Sequence, residues 1–205
     1  MASTISAGTT AGTAVAITGD TSGNLSLLTQ NGANTITVPN GTGTMAVQGV
    51  SSNIVSGTAV ASTSGTSIDF TSIPSWVKRV TVMFNGVSTN GSSNILVQLG
   101  AGSVTTSGYR SAGGLIFGSN STLIYSSTAG IVVYSAADAT QVGTITFNLL
   151  SNNTWIATGI LNPNSTWTYS TAGNIALGGA LDRLRITTVN GTDTFDAGSI
   201  NILYE

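Results

Sequence analysis

The chain contains no cysteine and no histidine. The first absence excludes disulfides, thiolate nucleophiles and thiolate metal ligands. The second removes imidazole from acid–base catalysis and, together with the first, the usual donors of a zinc site. Charge is almost as scarce. Five basic and seven acidic residues stand in 205, a charged fraction of 6%, where about 25% is usual. The net charge of −2 leaves nucleic-acid binding without electrostatic support, and membrane binding through anionic lipids lacks it too. Exposed helices are normally built with Glu, Lys and Arg, so their shortage favours strands and turns. No apolar run approaches the ~20 residues of a membrane span. Met1-Ala2-Ser3-Thr4-Ile5 lacks the basic and apolar regions of a signal peptide. Synthesis and assembly in a cytoplasm, without membrane insertion, are expected.

What is present changes character along the chain. Before Asp69 the only charge is Asp20, and the first aromatic is Phe70. A disordered tail this poor in large side chains would be charged or Pro-rich, and this one is neither. It carries short alternating pieces instead: Thr13–Ile17, Asn24–Leu28, Asn34–Val38 and Thr44–Val47. Alternation at period two is the strand signature. The dipeptides Gly19-Asp20, Ser22-Gly23, Asn31-Gly32 and Asn40-Gly41 between them are turn signals. Strands this small bury too little by themselves, and several copies closing around an axis would remove their free edges. Residues 1–65 are therefore expected to form an oligomerisation or attachment stem. Three copies would bury Val15, Ile17, Leu25, Leu27, Ile36 and Val38 between them.

From Thr66 onward large apolar and aromatic residues appear at strand spacing. The expected strands are Thr66–Phe70, Val77–Phe84, Asn94–Leu99, Gly108–Arg110, Gly130–Tyr134, Gly143–Leu150, Trp155–Leu161, Gly173–Gly178, Leu184–Val189 and Gly198–Tyr204, with a Gly-rich turn at Gly86–Gly91. Roughly ten strands at such spacing predict an all-β fold for residues 66–205, a β-sandwich with jelly-roll topology.

Chemistry-bearing residues are few. Asp182, Asp193 and Asp196 are the one carboxylate group that offers a candidate hydrolase pair, which would need a separation of ~5–10 Å. The competing reading puts Asp193 and Asp196 in the turn at Asn190-Gly191-Thr192-Asp193, accepting local backbone hydrogen bonds. Arg183–Asp182 and Arg79–Asp69 are candidate ion pairs, set against edge charges that discourage strand addition. Trp167 and Tyr169, near Asn162 and Asn164, are candidate surface contacts for a receptor or a host-surface glycan. The alternative is core or interface packing, with Trp155 in the core. No cofactor, metal or catalytic set is expected.

Two stretches resemble bacteriophage tail-fibre and virion proteins. The run Ile5–Gly23 together with Ile36–Ala46 is similar to the N-terminal stems of phage fibre proteins. Ser67–Phe84 and the closing run Asp182–Glu205 resemble a domain of phage and prophage tail proteins. The resemblance covers both ends, and 100–181 matches only in texture. It implies a non-enzymatic structural component of the virion, assembled in the host bacterial cytoplasm. The expected form is a homotrimeric tail-fibre protein contacting other tail or baseplate proteins. A capsid decoration (cement) or head-fibre protein is the alternative placement, and a carbohydrate-binding module is a more distant one.

Overall fold

The computed structural model describes residues 25–28, 35–38, 54–117, 121–164 and 166–205. The chain divides into two compact units, 1–52 and 53–205.

In the first unit, β1 (Leu25–Leu28) pairs antiparallel with β2 (Thr35–Val38). Leu25 stands opposite Val38, and Leu27 opposite Ile36. Val15 and Ile17 lie outside the described residues.

The second unit holds β3 (Val55–Ser56), β4 (Val60–Ala61), β5 (Ser67–Thr71), β6 (Arg79–Thr89), β7 (Ile95–Ala101) and β8 (Ser103–Val104). It continues through β9 (Arg110–Phe117), β10 (Ser121–Ser127), β11 (Ile131–Val133), β12 (Gln141–Ser151), β13 (Thr154–Asn164), β14 (Trp167–Ala176), β15 (Arg183–Thr188) and β16 (Phe195–Tyr204). Among the described residues there is no helix. The fold is all-β, with two antiparallel sheets as in a β-sandwich. The large sheet runs β10-β9-β14-β13-β12-β6-β16-β3, with β4 also on β16, and the small sheet runs β11-β7-β15-β5, with β8 on β7.

One face of each sheet supplies the core. Val80, Val82 and Phe84 of β6, Ile145 and Phe147 of β12, Trp155 of β13, and Leu184 and Ile186 of β15 are nearly or fully inaccessible. Their positions two apart follow from the side-chain alternation of a strand. Central β7 reads Ile95-Leu96-Val97-Gln98-Leu99 and is buried on both sides.

Three details differ from the expectation. The glycines at 86–91 do not end a strand, because β6 continues through Gly86 to Thr89. Gly86 and Gly198 both have positive φ, and a Cβ on Gly198 would overlap the Gly86 carbonyl. The register of β16 on β6 shifts beside them, so these glycines make a bulge rather than a turn. The second difference is the start of the compact unit. It begins at Asn53, ahead of Thr66, because β3 and β4 pair with β16. Third, β10 and most of β9 escape the sequence pattern, since Ser111-Ala112-Gly113-Gly114 and Ser126-Ser127 carry no large alternating residues.

Candidate functional site

The outward face of the large sheet has no counterpart packed on it within the described unit. Its residues line up in rows because antiparallel partners lie directly opposite one another. One row reads Asn201, Met83, Thr144, Ile160, Ser170, Gly114, Ile124 across seven strands. The next reads Leu203, Thr81, Thr146, Thr158, Ala172, Ala112, Ser126. Neither row holds a charge. A third row, Arg79, Asn148, Ile156, Asn174, Arg110, places its two guanidinium groups at its ends. Ile116, Ile124, Val142, Ile156 and Ile160 all remain exposed on this face, Ile160 to 66% and Ile124 to 71%. Between the isoleucines of β13 and those of β9–β10 lies a shallow trough lined by Ala112, Gly114, Ser170 and Ala172.

The aromatic candidates sit on the opposite side of the same sheet. Tyr169 is fully buried and its hydroxyl donates to the Val132 carbonyl at 3.2 Å. Burial pushes that phenol well above its ordinary pKa. It cannot stack on a sugar, and its expected surface role is corrected on that ground. The cause is parity: Tyr169 alternates inward with Thr171, while Thr168 and Ser170 point out. Trp167 is half-buried, tilted against Phe117 and Tyr134 at ring-centroid distances of 5.5 and 6.2 Å. Tyr125 and Tyr134 complete this cluster, which packs against the core. Asn162 donates its amide to the Trp167 carbonyl at 2.8 Å. Asn164 accepts from the Thr166 N–H and hydroxyl. Trp155 is core.

The carboxylates are engaged one by one. Asp182 takes the Arg183 guanidinium at 2.8 and 3.2 Å and the Gly102 N–H at 3.0 Å. The Arg183 hydrogen bonds hold its carboxyl below the ordinary range. Asp193 closes the turn that its sequence predicts. Asn190 Oδ1 accepts from the Thr192 and Asp193 N–H groups, and the Asn190 amide donates back to Asp193 at 2.6 Å. That amide, with the Ser93 N–H, lowers the Asp193 pKa. Asp196 lies on β16, not in the turn, and accepts from the Ser88 hydroxyl. Asp182 and Asp193 flank opposite ends of β15, roughly 20 Å apart at ~3.4 Å per residue, so they do not form a hydrolytic pair. The expected Arg79–Asp69 pair is replaced by two others. Arg185 holds Asp69 at 2.7 and 2.9 Å across β15 and β5, and Arg79 pairs with Glu205. Among the described residues no three metal-capable side chains converge.

Sequence reasoning overlooked the outward face altogether. Its composition is visible, but the rows exist only once strands from distant parts of the chain are placed in register. No family model, no curated protein and no solved structure matches the chain.

Proposed function

We propose that the chain is a non-enzymatic structural protein of a bacteriophage virion, a homotrimeric tail-fibre component. The observation that carries this reading is the outward face of the large sheet, seven strands wide, with two rows free of charge and isoleucines left in water. Large apolar side chains clustered in water on one face mark sites of association. The resemblance at both ends of the chain supplies the kind of particle. The strand order supports the same reading. Without the β13–β14 hairpin and β16, the sheets run β5-β15-β7-β11 and β6-β12-β9-β10. That reduced order is compatible with the jelly roll expected from the sequence, an architecture used by viral shells and lectins.

Assembly is then the mechanism. Stem strands pair between copies, and the near absence of charge lowers the desolvation cost of contact. Electron microscopy of intact particles tests the placement. Threefold density for this chain on the tail or baseplate is the expected result. Density on the capsid lattice would make it a decoration or head-fibre protein, and absence from particles would refute the virion reading. The stem has its own test: Leu27→Asp is expected to prevent trimer formation while leaving 53–205 folded. A full trimer of that variant by light scattering would remove the stem from the mechanism.

A further inference from the structure

We infer that the outward face of the large sheet docks on a second copy of this chain, the Ile156–Ile160 ridge of one copy seated in the Ala112, Gly114, Ser170, Ala172 trough of the next. This deepens the reading above and rests on self-assembly.

Gly114 is the first reason. Glycine weakens a strand interior and often marks close approach of another backbone or ligand. Elsewhere in this sheet the fold itself explains the glycine. A Cβ on Gly113 would overlap the Tyr169 hydroxyl, one on Gly159 would press on Ile145, and one on Gly173 would overlap the Arg110 carbonyl. At Gly114 a Cβ would meet only Ile124 Cδ1 at 3.5 Å and Thr122 Cγ2 at 3.9 Å, ordinary contacts. Nothing among the described residues keeps this position small, and the space it leaves open suits the side chain of a second copy.

Shape is the second reason. The ridge on β13 and the trough on β14 and β9 lie side by side. Turning a copy about an axis along the strands sets its ridge over its neighbour's trough. Chemistry favours a like partner, since the two central rows of each face offer threonine hydroxyls and methyl groups and no charge, the guanidinium groups of Arg79 and Arg110 standing at the ends of the third row.

Area is the third. Seven strands at ~4.8 Å and four rows at ~6.8 Å span about 29 by 20 Å, or about 600 Å² in projection. A standard interface takes about 800 Å² from each partner, the same order.

The test uses the full chain. Mass is followed by light scattering over a dilution series for the wild type, Gly114→Thr, Ile160→Lys and, as a control carrying the same charge off this face, Val189→Lys. In parallel, the double variant Ile160→Cys with Gly114→Cys is oxidised. The chain has no other cysteine. The two sites are two strands apart in one row, about 10 Å, too far for a disulfide within one chain. Dissociation at tenfold or higher concentration in Gly114→Thr and Ile160→Lys but not Val189→Lys, or a covalent oligomer on a non-reducing gel, is expected. A stem that holds the copies together unaided leaves the mass unchanged but still permits the cross-link. Unchanged mass without a cross-link, equal weakening by all three variants without a cross-link, or a monomeric wild type would overturn the inference. The virion reading fails separately, by absence from particles.

Discussion

Gly113 and Gly114 are consecutive in β9, yet one is required by the interior and the other is not. Gly113→Ala drives a methyl into the Tyr169 hydroxyl and is expected to cost about 1–3 kcal/mol, the range for overpacking. Gly114→Ala is expected to leave stability within about 0.5 kcal/mol or to raise it. Urea denaturation of the two variants checks both. Tyr109 is a second case. Its hydroxyl accepts the Leu99 N–H at 2.6 Å and donates to the Leu99 carbonyl at 3.3 Å, in a site where the ring is 2% exposed. Tyr109→Phe leaves a buried N–H without that acceptor, at about 1–3 kcal/mol. Residues of this kind were hard to read from sequence. Nothing near Tyr109 or Tyr169 tells which face each occupies, and of the two readings of Tyr169, surface contact or packing, parity selects packing.

Elements were more legible than residues wherever large side chains alternate. β6, β7, β12, β13 and β15 fall on the expected strands, since Val, Ile, Leu and Phe at period two mean one buried face. β10 and most of β9 and β14 were missed because stretches such as Ser111–Gly114, Ser126-Ser127 and Ser170–Gly173 give no such contrast, and the sheet on either side, not propensity, decides their conformation. The turn at Asn190 was readable because its chemistry is local: one side-chain oxygen serves two following N–H groups. Asn190→Ala is expected to lower stability by about 1–2 kcal/mol, measured by thermal unfolding. The bulge at Gly86 and Gly198 was not readable, since glycines of a turn and of a bulge look alike in sequence. Gly198→Ala combines positive φ with overlap on the Gly86 carbonyl. It is expected to cost at least about 2 kcal/mol and to disturb the amide signals of β6 as well as β16.

At the scale of the molecule, the lack of histidine leaves a wide pH plateau. No side chain with an ordinary pKa titrates between pH 5 and 8. At the acid end, Asp182 and Asp193 are held below the usual carboxylate range. What they contribute is present above an unfolded pKa near ~4 and is lost as pH falls through their lower folded values. At the alkaline end, burial raises Tyr109 from 10.0 to about 12. Stability from the neutral phenol is complete below pH 10.0 and is lost as pH rises toward about 12. A flat melting temperature from about pH 5 to 9 with falls at both ends is expected. Fold class was legible because the shortage of Glu, Lys and Arg leaves little material for exposed helices and favours strands. The start of the second unit was not. Fully buried Ser62 donates its hydroxyl to Ala197 and its N–H to Gly198, contacts invisible in a Gly/Ser-rich connector. A fragment of residues 53–205 is expected to melt cooperatively, and one of 66–205 to be less stable by about 2–3 kcal/mol.

The β13–β14 hairpin sits between β12 and β9 and carries both the Ile156–Ile160 ridge and half of the small-residue trough. Docking surface and sandwich are therefore separable in inheritance. Point changes at positions 156, 158, 160, 170 and 172 alter outward residues while Trp155, Ala157, Leu161 and Tyr169 on the same two strands keep the interior. A lineage can in this way exchange the chains it assembles with while its core stays untouched.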